Sequence, residues 1–142
     1  MARDPACIFC KIAAGQIPAA VVYEDGVCIS FLDIGPLAKG HLLVIPREHY
    51  NRLSLMPANE SASVASLLPK LGLALLTVTR AEGFNVLCNE GAAAGQAVGH
   101  VHFHLIPRIK GDGLGYRWNA GSYAEGEVDK LASEYRKAVA SG

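Results

Sequence analysis

Three imidazoles separated by single apolar residues, in the stretch His100-Val101-His102-Phe103-His104-Leu105-Ile106, are the side chains best suited to chemistry. A neutral imidazole near pH 7 can serve as nucleophile, acid, base or metal ligand, so three on one face can divide those tasks. Their spacing predicts a β-strand, with His100, His102 and His104 facing one way and Val101, Phe103 and Leu105 packed into a core. A helix would scatter them. The chain has only five histidines, and the plain alternative for this cluster is a solvated polar strand face.

The preceding loop suggests what the histidines act on. Asn89 and residues 91–99, rich in Gly and Ala, can offer backbone amides and the Asn89 and Gln96 side-chain amides to a phosphate oxygen. A glycine-rich loop alone is more often a simple turn; beside three histidines it favours phosphoryl chemistry. Near the N-terminus, Cys7-Ile8-Phe9-Cys10 places two thiols one turn apart on a short helix spanning 7–15 and ended by Gly15. That pair can be a redox motif, half a metal site or two packed cysteines. Cys28 and Cys88 sit in apolar runs and are assigned to packing.

These groups need a scaffold. Residues 17–24 and 27–32 read as a hairpin joined at Asp25-Gly26, which delivers Asp33 to a strand end. Residues 41–46 form a nearly continuous apolar run, a buried strand ending at Pro46, after which Arg47, Glu48 and His49 leave the sheet. Residues 57–80 are helical, with Asn59 as N-cap and Ala62, Ala65, Leu67, Leu68, Leu71, Leu75 and Val78 as the apolar stripe. Pro69 within it predicts a kink or two pieces. Residues 84–88 give another strand, 109–126 with five glycines an irregular segment, and 127–140 a helix bearing Val128, Leu131, Tyr135 and Val139. The pattern is α+β, an antiparallel sheet of about five strands with helices packed on it.

At 142 residues the chain suits one domain, with a variable segment from about residue 110. Thirteen basic residues balance thirteen acidic ones, which argues against nucleic acid or a membrane surface as partner, so any anion must be held by a local site. Residues 1–5 lack an apolar export segment, and runs such as 71–78 are too short to span a bilayer. A cytoplasmic, reducing compartment without disulfides is therefore expected.

The stretch from Gly95-Gln96-Ala97-Val98-Gly99 through the three histidines, with Asn89 ahead of it, resembles the signature of the histidine triad family of nucleotide hydrolases and transferases. Cys7 to Ile12, Phe31-Leu32-Asp33-Ile34 and Gly40-His41 to His49 extend the likeness over most of the chain. The resemblance implies an HIT-like fold and an enzyme in which His102 attacks an α-phosphate, forming a nucleotidyl-histidine that water hydrolyses. It implies that His104 donates to a phosphate oxygen or leaving group, that Asn89, Gln96 and the amides of Ala97 and Val98 hold oxygens, and that Asp33 accepts from the ribose. Ile8, Phe9, Ile12 and Phe31 would form the slot for a purine base. Many members carry a hydroxyl residue where this chain has Ala97, so one phosphate contact is lost.

Members with the N-terminal cysteine pair combine it with histidines, which implies structural zinc at Cys7, Cys10, His49 and His100, with His41 the alternative to His49. His41 otherwise stands behind the triad as a hydrogen-bond partner. The substrates implied are adenosine phosphoramidates or dinucleoside polyphosphates, and the assembly a homodimer joined edge to edge. Competing readings are a nucleotide-binding adaptor with vestigial hydrolysis, a zinc or redox module built on the two cysteines, and a nucleotidyl transferase, against which the apolar Val101 argues. The sequence leaves open what Trp118 and Tyr123 contact.

Overall fold

A computed structural model describes residues 3–115 and 119–142, so Trp118 lies outside the described residues. A five-stranded antiparallel sheet runs β1 (Val21–Glu24), β2 (Cys28–Leu32), β3 (Leu42–Pro46), β5 (Phe103–Arg108), β4 (Gly83–Cys88) in spatial order. Helix α1 (Ile8–Ala13) covers one face and α2 (Ala58–Thr79) the other; α3 (Glu127–Ser141) follows the irregular segment. This is the α+β architecture that the alternating strand runs imply.

Period-two side-chain alternation sorts the core into two layers. Ile29, Phe31, Leu43 and Ile45 point toward α1 and pack with Phe9, Cys10 and Ala13. Cys28, Leu42, Val44 and Leu105 point the other way, against Val64, Leu67, Leu71 and Leu75 of α2. Those four helix positions share one face, and each buried aliphatic side chain contributes about 1.5–3 kcal/mol. The first β-turn is held by Asp25, whose carboxylate accepts from the amides of Val27 and Cys28, both at 2.8 Å. Cys28 is fully buried and Cys88 partly so.

Several elements depart from the expectation. Strand β5 begins at Phe103, so His100 and His102 precede it and the three histidines do not share one strand face. Pro46 has no N–H for the ladder and its carbonyl is taken by His100 Nε2 at 2.9 Å, so β3–β5 pairing stops at Val44–Phe103. The amide of Val101 bonds instead to the Tyr50 carbonyl at 2.8 Å. Likewise β1 starts at Val21 rather than residue 17.

Helix α2 is capped by Pro57, two residues ahead of the expected N-cap Asn59, and runs unbroken through Pro69. Both Pro69 and Ala65 are exposed, so the carbonyl that loses its donor lies on the solvent side. The buried stripe takes in Val64 and Gly72, while Ala62, Ala65 and Val78 are exposed. At 22 residues with a mean hydropathy of 1.5, α2 is long and apolar enough to cross a membrane, contrary to the expectation from shorter runs. Here its apolar stripe covers the sheet. Tyr123 and the apolar side of α3 (Val128, Leu131, Tyr135 and Val139) are exposed.

Candidate active site and metal cluster

Strand β5 presents His104, β3 presents Leu43 beside it, and the extended entry to β5 presents His102. The rings of His102 and His104 lie 5.0 Å apart. The hydrogen-bond partner of each ring orients it and selects its tautomer, a backbone carbonyl for His102 and the His41 side chain for His104. His102 Nδ1 is 2.7 Å from the His100 carbonyl, which can only accept, so Nδ1 carries the proton and Nε2 a free lone pair. The Leu37 amide donates to His41 Nδ1 at 3.1 Å. His41 Nε2–H therefore donates to His104 Nδ1 at 2.9 Å, which leaves His104 with its proton on Nε2. One exposed lone pair thus stands beside one N–H donor.

Electrostatics keep this relay neutral. Burial pulls the His104 pKa down to about 4, with His102 and His41 adding to the effect and Asp33 opposing it. His41, only 2% exposed, is also lowered, again chiefly by burial and against Asp33. The Asp33 carboxylate sits 3.8 Å from His41 Nε2, and its other oxygen accepts from the Gly35 amide at 2.8 Å.

The two rings form one wall of a cavity of about 290 Å³. Ile8, Phe9, Ile12, Phe31, Asp33, Ala97 and Val98 also line it, together with Ile17, Pro18, Ala19, Leu32, Ile34 and Leu43. Sequence reasoning missed this second group; for Leu43 the signal was its register opposite His104. Phe9 meets His102 edge-on at 5.1 Å and Phe31 at 5.8 Å, so α1 and β2 supply an apolar slot that ends at the histidines. Asn89 and Gln96 lie outside that lining. The Gln96 amide is occupied within the protein: Oε1 accepts from Gly91 at 2.8 Å, and Nε2 donates to the carbonyls of Asn51 at 2.7 Å and Val98 at 3.0 Å.

His100 faces away from the cavity, into a buried cluster with Cys7, Cys10 and His49. Its Nε2–H donates to Pro46, and His49 Nε2–H donates to Asn51 Oδ1 at 2.9 Å, so both Nδ1 lone pairs point inward. These Nδ1 atoms are 3.2 Å apart; Cys7 Sγ is 3.4 Å and Cys10 Sγ 3.6 Å from His100 Nδ1, and Cys10 Sγ is 3.3 Å from His49 Nδ1. A tetrahedral zinc with two sulfur and two nitrogen ligands has edges of about 3.3–3.8 Å, so the donor set and its spacing fit such an ion. Burial raises the Cys10 thiol pKa, opposed by the Asp4 amide hydrogen bond and aided by Cys7, and a cation among the four donors would favour the thiolate. Of the two histidines weighed for this position, His49 joins the cysteines, and His41 stands behind His104.

Comparison with known proteins agrees with this geometry. Residues 14–111 match the model of the HIT domain. A HIT-like protein of Methanocaldococcus jannaschii is 50% identical over 137 residues, covering 92% of this chain and 98% of its own. The adenosine 5'-monophosphoramidase HNT1 of Candida albicans is 38% identical over 145 residues, covering 99% and 95%. A zinc-bound histidine triad family protein from Mycobacterium smegmatis superposes with a TM-score of 0.74 at 34% identity, covering 94% and 97%. The family model covers residues 14–111 and the Methanocaldococcus jannaschii relative is 50% identical across 92% of the chain, so this chain belongs to the HIT family.

Proposed function

We propose that the protein is a nucleotide hydrolase that cleaves adenosine phosphoramidates or dinucleoside polyphosphates and releases a nucleoside monophosphate. The observation that carries this reading is the pair of fixed tautomers: a bare His102 Nε2 beside a protonated His104 Nε2 at the end of an apolar slot. His102 Nε2 attacks the α-phosphorus and forms a P–N bond. The P–N or P–O bond to the leaving group breaks with its electron pair going to the leaving atom, which takes up a proton while His104 Nε2–H steadies it or a phosphate oxygen. Water then attacks phosphorus, the bond to His102 breaks with its pair returning to the ring, and the proton lost from water balances the one taken up.

Ile8, Phe9, Ile12 and Phe31 sandwich the purine, Asp33 accepts from ribose hydroxyls, and the amides of Ala97 and Val98 face the phosphate. Asn89 borders the same loop, where its Nδ2 reaches the Gly95 carbonyl at 3.5 Å. The activity named for the Candida albicans relative supports the phosphoramidate class. Cys7, Cys10, His49 and His100 would hold a zinc ion through four protein ligands, and an ion so held would supply structural cross-linking rather than water activation. The exposed edge strand β4, with Val86 and Leu87 partly open to solvent, supports pairing with a second copy.

His102→Ala tests the mechanism. Turnover of an adenosine phosphoramidate drops by at least about 10⁴-fold, while AMP binding and the melting temperature stay near wild type. Mass spectrometry of quenched wild-type reactions finds the adduct on His102; full activity in the variant removes the mechanism.

A further inference from the structure

The hydrogen bonds joining the cysteine–histidine cluster to the loop before the histidines run through Asn51 and Gln96, neither of which lines the cavity. Asn51 Oδ1 accepts from His49 Nε2–H, fixing the ring whose Nδ1 points into the cluster. The backbone carbonyl of the same residue accepts from Gln96 Nε2. Gln96 in turn spans its loop, gripping Gly91 N at one end and Val98 O at the other. Val98 and Ala97 line the cavity beside His102 and His104. A continuous set of short bonds, 2.7–3.0 Å long, therefore connects a cysteine–histidine cluster to the backbone that lines the cavity.

We propose that Asn51 and Gln96 are positioning residues that couple metal binding at Cys7, Cys10, His49 and His100 to the affinity of the 91–98 loop for the phosphate of a nucleotide. The coupling is a strut. A metal ligand must keep its ring oriented, and the group accepting from its far nitrogen sets that orientation. Holding His49 thus holds Asn51, and Asn51 offers Gln96 a fixed acceptor. With its donor committed to Asn51 and Val98, the Gln96 amide pins the loop instead of reaching the phosphate. Because linkage is reciprocal, nucleotide bound at the loop strengthens metal binding by the same factor that metal strengthens nucleotide binding.

This inference rests on the nucleotide-hydrolase reading, and one measurement separates the two. Zinc-loaded full-length protein is titrated with a chromophoric chelator, with and without saturating AMP, and AMP affinity is measured by calorimetry on the same zinc-loaded sample. Wild type loses zinc less readily with AMP present, the apparent zinc Kd falling about fivefold or more. Gln96→Glu keeps the acceptor for Gly91 but sets an oxygen against two carbonyls; Asn51→Ala cuts the bond to His49 and leaves the backbone acceptor. In each the AMP effect on zinc shrinks toward onefold, and Asn51→Asp, which keeps an acceptor for His49, restores it.

Should Asn51→Ala fail to fold, Gln96→Glu and Gln96→Ala test the other half of the strut. AMP binding with no change in zinc affinity in the wild type overturns the strut alone. An undiminished zinc effect in Gln96→Ala, alongside weakened AMP binding, makes Gln96 a direct phosphate ligand and also overturns it. Absence of any AMP binding overturns the nucleotide reading and this inference with it.

Discussion

At the scale of single residues, the chemistry depends on which nitrogen of each imidazole holds its proton, and backbone groups decide that. The His100 residue serves twice, its side chain in the metal cluster and its carbonyl on His102. Burial holds the His104 pKa at about 4 in the folded protein against about 6.5 unfolded. The unfolded chain therefore binds more protons between those values, so stability is complete above about pH 6.5 and declines as pH falls. By pH 5 the loss from this group amounts to about 2 kcal/mol. Melting temperatures recorded from pH 8 to pH 5 fall more steeply for wild type than for His104→Gln, which cannot titrate; identical slopes would remove the argument. The histidine cluster and the cysteine pair stand out in the sequence by local spacing and Asp33 through the family resemblance, while the single strand face expected for the three histidines did not form. His41 was expected behind the triad, and it bonds His104; the bond from Gln96 to the Asn51 carbonyl was not legible, since its partner is 45 positions away.

At the scale of elements, a close approach of the Phe84 ring to Gly72 joins α2 to β4. A Cβ placed on Gly72 would lie 2.2 Å from Phe84 Cζ, with two more ring atoms inside 3.0 Å, so glycine in mid-helix is required by the ring lying across it. Gly72→Ala gains about 1 kcal/mol of helix propensity and loses about 1–3 kcal/mol to overpacking, a net destabilisation in denaturant melts. Phe84→Leu in that background recovers part of the loss, and additive effects of the two changes would contradict the contact. The α2 stripe was only half legible in the sequence: a run of Ala and Leu leaves the helix phase ambiguous, and Phe84 settles it by seating Gly72 rather than Val78 against the sheet. The late start of the triad strand, at Phe103, was equally hidden. Its cause is a proline on the neighbouring strand, and strand neighbours are not written in sequence order.

At the scale of the whole molecule, the sheet has one edge at β1 and the other at β4, and the β4 edge carries Val86 and Leu87, 46% and 42% exposed. The proposed dimer joins two such edges. Lysines at both positions, V86K together with L87K, place like charges across the join and yield a monomer in sedimentation velocity, with the wild type sedimenting as a dimer. The two faces of the sheet are unequally supported: 22 residues of α2 secure one, while α1 on the other has 6. A helix that short does not persist alone; Arg47 ties it down by donating to the Ala13 carbonyl at 3.0 Å, as do the cysteines at its start. Amide protons of α1 consequently exchange with deuterated solvent through small local openings, long before those of α2, and loading the cysteine–histidine cluster with zinc, the ion proposed for it, would narrow that gap while leaving the α2 layer unchanged.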